Sequence, residues 1–300
     1  MRYGVPYKGS KNQIAEWVCK HFPKATNFYD LFAGGCAITQ IALMKQNFNR
    51  YFANDIDFDG ILLFMNAIYG KYQNESRWIS REDFIVLKNK DPYIKYCWSF
   101  GNNGRDYLYS KEIEPYKKAW HYAIYFHDYS LAEKLSLDLK SIEPIQDIYD
   151  RYIATKRITE KVTDINMSRE ISFERQQQLE ALNRLQSLQS LQSLQLSNCS
   201  YENVKIYKDS VVYLDPPYFD TNPYGDDKSN NFDYEKFYKW ALQQKELVII
   251  SEYNMPDDFI CIDAIEKSVL LNSGASKKNL EKLFIPKHQR ELYNNLMKRR

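Results

Sequence analysis

Asp215-Pro216-Pro217-Tyr218 follows the uncharged run Val211-Val212-Tyr213-Leu214 without a break. The run has the length and β-branched content of a buried strand. Neither proline carries an N–H, and each restricts the residue before it, so sheet pairing must stop there. A carboxylate, a rigid carbonyl and an aromatic ring are thereby held at the carboxyl edge of a strand, where open α/β sheets bind their ligands. Taken alone, the string also fits a strand leaving through a polyproline turn, so its meaning depends on partners elsewhere in the chain.

Three such partners lie upstream. Ser10 and Gln13 have capping-box spacing, and Ile14, Trp17, Val18 and Phe22 give one apolar face, which predicts a helix opening at Gly9-Ser10. Free N–H groups and the dipole of such a helix attract an anion, and Lys11 in its first turn is unfavourable without an anionic partner. The plain alternative is an ordinary capped helix with a solvated lysine. Next, Phe28 to Phe32 form a short strand carrying Asp30, Gly34-Gly35 a tight turn, and Ile38, Ile41, Ala42 and Met44 the start of a helix. Strand, turn and helix make the first half of a nucleotide-type unit. The turn lacks the further glycines and the lysine of a phosphate loop, and Asp30 suits an ammonium or a ribose hydroxyl instead. A second strand, Tyr51-Phe52-Ala53, ends in Asn54-Asp55, about 20 residues beyond the glycines, where dinucleotide-binding folds hold a ribose. Glycine turn plus second acid point to a nucleoside cofactor.

The elements that would position these groups must come from 300 residues, enough for one large domain or a core with an inserted subdomain. A net charge of +2 leaves any polyanion contact to a local basic patch. The 25 tyrosines and 16 phenylalanines suffice for a core and a stacking surface. The five scattered cysteines include no C-x-x-C pair and the four histidines are equally dispersed, so no metal is assigned and a reducing compartment is expected. Arg2-Tyr3-Gly4 does not open a signal peptide and no run of 18 apolar residues occurs, so the expectation is a cytoplasmic protein with no membrane partner.

Residues 56–70 read as helical. Beyond Gly70 helices are expected near 80–90, 115–128 and 143–161, with Pro115 and Pro144 opening the last two. Between them, Asn103-Gly104 within Trp98–Tyr107 is a hairpin-turn signal. Such a hairpin would carry Arg105 between Phe100 and Tyr107, with arginine suited to guanine and a ring suited to wedging a base stack. A surface hairpin with a solvated arginine is the alternative. Lys111, Lys117, Lys118, Arg151, Lys156, Arg157, Arg169 and Arg175 are phosphate-contact candidates or a solvated face. From Leu179 to Leu194 a leucine recurs at every third position in a near-perfect Leu-Gln-Ser tandem. On an α-helix that period rotates the stripe about 60° per repeat, which predicts a helix that frays or bends and makes no coiled-coil seam. Leu194–Asn198 then reads as a strand, Asn222–Phe232 as a polar loop, and Tyr234–Leu242 as an amphipathic helix. Leu247–Ser251, Phe259–Ile262, Ser268–Leu271 and Leu283–Ile285 read as further strands.

Tyr7-Lys8-Gly9-Ser10-Lys11, Asp30-Leu31-Phe32-Ala33-Gly34-Gly35, Asn54-Asp55 and Asp215-Pro216-Pro217-Tyr218 come in the order that resembles the Dam-type class of S-adenosylmethionine-dependent DNA adenine-N6 methyltransferases. The resemblance implies an α/β fold, a Rossmann-like doubly wound methyltransferase sheet with an inserted, mainly helical DNA-recognition subdomain. The catalytic domain would comprise residues 1–70 and 194–300, and the target-recognition region residues 71–193, including the leucine repeat. It implies that Tyr7 and Lys11 contact S-adenosylmethionine, that Asp30, Phe32, Ala33, Gly34 and Gly35 receive its methionine portion, and that Asp55 holds its ribose. Many members keep a glycine where this chain has Cys36, and often an acid where it has Ser200, which leaves Tyr201 to stack on the cofactor's adenine. Asn103, Arg105 and Tyr107 would lie on the hairpin beside the target base of double-stranded DNA. Asp215 and the Pro216 carbonyl would accept the two N–H groups of N6, Pro217 would fix that carbonyl, and Tyr218 would stack on a flipped-out base. The class also admits a cognate restriction enzyme as partner. Two other readings stay open: a methyltransferase acting on RNA or a protein amide, although amide-modifying relatives show asparagine where this chain has Asp215, and a DNA-binding protein that has lost catalysis.

Overall fold

The computed structural model describes residues 2–159, 170–218, 232–270 and 276–299, with backbone only at 267–270 and 276–279. In chain order its regular elements begin with α1 (Ala15–Cys19), β1 (Asn27–Asp30), α2 (Ala37–Lys45), β2 (Arg50–Asn54) and α3 (Asp59–Ile68). A helical stretch follows, with α4 (Arg81–Leu87), α5 (Pro92–Cys97), α6 (Glu114–Phe126), α7 (Ser130–Lys134), α8 (Ile148–Thr159) and α9 (Ile171–Glu180). The chain ends with β3 (Leu194–Ser197), β4 (Ser210–Leu214), α10 (Tyr234–Gln243), β5 (Leu247–Glu252), β6 (Phe259–Leu270), β7 (Ser276–Pro286) and α11 (Arg290–Met297). Two compact units result, residues 1–69 with 182–300, and residues 70–181. No described helix is long and apolar enough to cross a membrane.

The first unit is built on a sheet of order β3-β2-β1-β4-β5-β7-β6. Its first five strands run parallel, and β7 is antiparallel to both neighbours. The central strands β1, β4 and β5 are buried along their whole length, as expected of mainly apolar runs covered on both faces, with Asp30 and Glu252 at the ends of β1 and β5. Tyr29, Leu31, Val212, Leu214, Val248 and Ile250 pack on Phe237 and Ala241 of α10. The alternate residues Phe28 and Tyr213 face the other way and meet Phe22 at 5.2 and 5.6 Å between ring centroids. Strand order reverses between β1 and β4, which makes their carboxyl ends the switch point of a doubly wound sheet.

Three expectations are corrected here. The helix predicted from Ser10 is only α1, and it starts at Ala15 after Ile14, with no side-chain cap. The Ser10 hydroxyl instead accepts the Asn12 N–H at 3.3 Å, and the Lys11 carbonyl accepts that of Ile14 at 3.0 Å. These local turns replace the first helical turn, so no helix terminus forms at Gly9-Ser10. Second, Phe259–Ile262 and Ser268–Leu271 belong to one strand, β6, which pairs with β7 through its charged middle and has a register shift between Cys261 and Asp263. Leu271 lies outside the described residues. Third, the leucine repeat is not an α-helix but two 3-10 helices, Ala181–Ser187 and Gln189–Ser193. A 3-10 helix has three residues per turn and eclipses i with i+3, so within it a three-residue period keeps the leucines on one side, and an extended Leu188 joins the two helices. Leu182, Leu185 and Leu191 are buried while Gln186, Gln189 and Gln192 are exposed, and the Ser190 hydroxyl donates to the Leu43 carbonyl at 2.8 Å. This segment is part of the sheet-bearing unit.

The second unit holds the helices expected near 80–90, 115–128 and 143–161. Pro115 lies in the first turn of α6 as predicted, whereas α8 opens at Asp147, whose carboxylate accepts the N–H groups of Tyr149 and Asp150, both at 2.9 Å. Its core joins Trp120, Ala123 and Ile124 of α6 to Tyr152 of α8 and Phe173 of α9.

Candidate active site

Parallel pairing sets Asp30 opposite Tyr213, two residues before Asp215. The two carboxylates thus leave neighbouring strands at the switch point. Asp30 is 1% exposed; its Oδ2 accepts the Thr39 hydroxyl at 2.7 Å, and its Oδ1 is buried without a hydrogen bond. Burial, opposed by the Thr39 bond and reinforced by the nearby Asp215 and Asp55 charges, pushes its carboxyl up to about 7. An unsatisfied buried acceptor among negative neighbours is suited to a cationic donor.

The turn after β1 is fixed from three sides. Gly34 N–H donates to Asp55 Oδ2 at 2.8 Å, Ala33 N–H to the Asn54 carbonyl at 2.9 Å, and Cys36 N–H back to the Ala33 carbonyl at 2.7 Å. A Cβ on Gly35 would lie 2.6 Å from that of Tyr7, so Tyr7 rests directly on the turn. A Cβ on Gly60 would come within 2.2 Å of the Gly34 carbonyl oxygen, so only glycine lets α3 approach the loop this closely. Asp55 Oδ1 also accepts the Asp57 N–H at 2.9 Å. Burial outweighs both bonds and raises the Asp55 carboxyl to about 6. Cys36 caps α2 at φ 59°, the left-handed region where glycine sits without cost, and its thiol is fully buried with its pKa held well above 9 by burial. It packs inward as a neutral thiol. Ile56, expected among the apolar positions of a helix over 56–70, instead precedes α3 and stands 78% exposed next to Asp55.

Tyr201 opens a 3-10 turn, with Phe32 at 5.3 Å and Phe237 at 5.6 Å between centroids. The Ser200 hydroxyl donates to Glu202 Oε1 at 3.1 Å, so a carboxylate does stand here, two residues later than expected. Phe232 joins these rings, 5.9 Å from Phe32. Most of the loop expected at Asn222–Phe232 lies outside the described residues.

At the double proline, Tyr234 donates its hydroxyl to the Pro217 carbonyl at 2.9 Å. Lys11 has the anionic partner its position called for, but within the protein. Its Nζ lies 2.8 Å from Asp215 Oδ1, 3.4 Å from Glu281 Oε1 and 4.5 Å from the Tyr218 ring centroid. The Tyr218 hydroxyl donates to Glu281, and Tyr253 meets the ring edge-on at 4.7 Å. Glu281 escaped the sequence reading because β7 begins seven residues before the expected Leu283, through charged positions.

The hairpin belongs to the second unit. Ser99 bridges Tyr107 antiparallel, and Phe100 N–H donates to the Asp106 carbonyl at 2.7 Å. Asn103 Oδ1 accepts the N–H groups of Arg105 and Asp106 at 2.8 and 3.0 Å. Arg105 is exposed, with Nε 3.1 Å from Asp106 Oδ2. Tyr107 does not face solvent: it is 8% exposed, donates its hydroxyl to the Ile79 carbonyl at 2.8 Å and lies under Arg81. The exposed ring is Phe100, at 54%. Three phosphate-contact candidates are also internal. Arg175 donates to the Cys97 and Ser99 carbonyls at 2.6 and 2.8 Å, and Arg151 to those of Ile124 and Ile145 at 2.8 and 2.9 Å. Lys117 is buried over Trp120, 3.9 Å from Glu170, and burial lowers its pKa. Lys111 and Arg157 are exposed and Lys118 and Lys156 half-buried, while Arg169 lies outside the described residues.

A family model described as D12 class N6 adenine-specific DNA methyltransferase matches residues 7–248, from Tyr7 past the double proline to β5. No curated protein matches the chain. The chain belongs to the D12 class of N6 adenine-specific DNA methyltransferases.

Proposed function

We propose that this D12-class enzyme transfers the methyl group of S-adenosylmethionine directly to N6 of an adenine turned out of double-stranded DNA. The observation that carries the reading is the juxtaposition of Asp30 and Asp215 at the ends of adjacent parallel strands, one bearing an unsatisfied buried oxygen and the other next to Tyr218. Asp30 Oδ1 suits the ammonium of the cofactor's methionine portion. Phe32, Ala33, Gly34 and Gly35 would form the wall beside it, with Tyr7 over the turn. Each Asp55 oxygen keeps a second lone pair for a ribose hydroxyl, and Tyr201 with Ile56 would flank the cofactor's adenine. When bound, the cofactor supplies an electrophilic methyl group on a sulfonium.

The N6 lone pair is delocalised into the purine ring, so the amino group is a poor nucleophile. Asp215 and the Pro216 carbonyl would accept its two N–H groups and favour the tetrahedral nitrogen of the transition state. Pro217, pinned by Tyr234, holds that carbonyl, and Tyr218 would stack on the base. Lys11 would act on Asp215 and hold the carboxylate in place. Residues 70–181 would form the recognition unit, with Asn103, Arg105 and Phe100 meeting the DNA. Exposed Lys111 and Arg157 would neutralise phosphates. A cytoplasmic location follows from such a substrate, and a cognate restriction enzyme would be a functional partner. Expression in a methylation-free host, followed by single-molecule mapping of modified bases, tests the reading. N6-methyladenine at a defined sequence is expected; an unmodified genome, or another modified base, would overturn it.

A further inference from the structure

Glu281 lies on the strand β7, beyond the stretch that matches the family model, and is 2% exposed. A carboxylate so buried is stable only with partners. Its partners come from distant parts of the chain, and both belong to the site: the Lys11 ammonium at 3.4 Å and the Tyr218 hydroxyl. We propose that Glu281 is a positioning residue for methyl transfer, which fixes the plane of the Tyr218 ring through its hydroxyl while giving Lys11 a second carboxylate beside Asp215. The inference rests on the proposed adenine-N6 transfer.

The geometry makes the orientation of Tyr218 a problem that Glu281 solves. The residue follows two prolines that carry no N–H, so strand pairing cannot hold it. Tyr253 packs T-shaped against the ring, and Lys11 stands over its face. A charge-assisted bond from the hydroxyl to a strand of the sheet adds a directional restraint on the plane of the ring. A phenylalanine at 218 would have the same stacking surface but not that anchor. Glu281 also gives Lys11, which stands over the ring, a buried counter-charge besides Asp215.

The test is methyl transfer from tritiated S-adenosylmethionine to genomic DNA of a methylation-free host, with kcat and KM measured separately. E281L removes both charge and acceptor, E281Q keeps an acceptor for the hydroxyl, and Y218F removes the hydroxyl. Loss of a buried charge-assisted hydrogen bond is expected to lower kcat of E281L and of Y218F roughly 10- to 100-fold, with KM for cofactor and DNA within about twofold. E281Q should retain at least about a third of the wild-type kcat. The double variant E281L/Y218F should be no slower than the worse single one, because both remove the same bond. Additive losses, E281Q as slow as E281L, a change in KM alone, or wild-type kcat in E281L would each overturn the proposal. If E281L does not fold, E281Q/Y218F against Y218F gives the same decision: an additional loss beyond about threefold overturns it. An inactive wild-type protein would count against the proposed function itself, whereas an active one with indifferent variants counts only against Glu281.

Discussion

Both units bury charged side chains, but they arrange them differently. In the sheet-bearing unit buried Lys11, Asp30 and Glu281 gather with half-buried Asp215 at the carboxyl ends of β1 and β4, and one oxygen of Asp30 is left without a hydrogen bond. In the helical unit Arg175 and Arg151 are dispersed and bound to main-chain carbonyls, while the Glu170 oxygen that lacks a hydrogen bond lies inside the core with the Lys117 ammonium 3.9 Å away. Buried charge that leaves an acceptor open at a strand edge can act on a ligand. Buried charge that satisfies helix ends and loop carbonyls holds a scaffold together. A basic residue in a recognition region is therefore no evidence of phosphate contact until its exposure is known.

This contrast can be broken most forcefully at Arg175. Replacing it with methionine should cost roughly 2–4 kcal/mol in urea unfolding, because the carbonyls of Cys97 and Ser99 lose a charged donor. Exposed Arg105 should behave in the opposite way. Arg105→Ala should leave stability within about 0.5 kcal/mol, weaken DNA binding about tenfold and reduce the salt slope by about one. If R175M alters the salt slope instead, the assignment of inner and outer cations is wrong.

The open acceptor of the first unit gives a pH signature. Asp30 has a folded pKa of about 7 against an ordinary 3.8, so the folded state binds more protons between these values. Stability of the ligand-free protein should therefore fall as pH rises from about 4 to 7, with Asp55 contributing in the same direction up to about 6. Asp30→Asn should flatten the decline of Tm over that window. S-adenosylmethionine affinity, measured by calorimetry, should move oppositely and strengthen as Asp30 ionises. The smallest effect is expected in the leucine repeat. Inserting one Leu-Gln-Ser unit after Ser187 adds a whole 3-10 turn and should cost about 1 kcal/mol or less, whereas a single inserted glutamine rotates the following leucines by about 120° and should cost more.

Much of the first unit was legible because its signals are local. Apolar runs marked β1, β4 and β5, and the residue types at or just beyond their ends marked Asp30, the glycine turn and Asp215. What was not legible depended on contacts between distant residues. The turn at Asn103-Gly104 reveals a hairpin, but not that Tyr107 faces Ile79 and leaves Phe100 outside. Ser10 has a capping residue's chemistry, yet its hydroxyl closes a local turn and α1 starts later. The three-residue leucine period was clear, and its assignment to an α-helix hid that Leu182, Leu185 and Leu191 are buried from 3-10 helices. Glu281 could not be connected with Lys11 and Tyr218 without the strand order that brings β7 beside β5.

The central claim is that Asp215 serves the transfer step and not DNA binding. Asp215→Ala should keep the DNA dissociation constant within about threefold while methyl transfer falls at least 10²- to 10³-fold, as for loss of a donor or acceptor aimed at a transition state. Both are measured on the same preparation, by filter binding and by incorporation of tritiated methyl groups. Methyl transfer at the wild-type rate, or a loss matched by an equal loss of DNA affinity, would contradict the account.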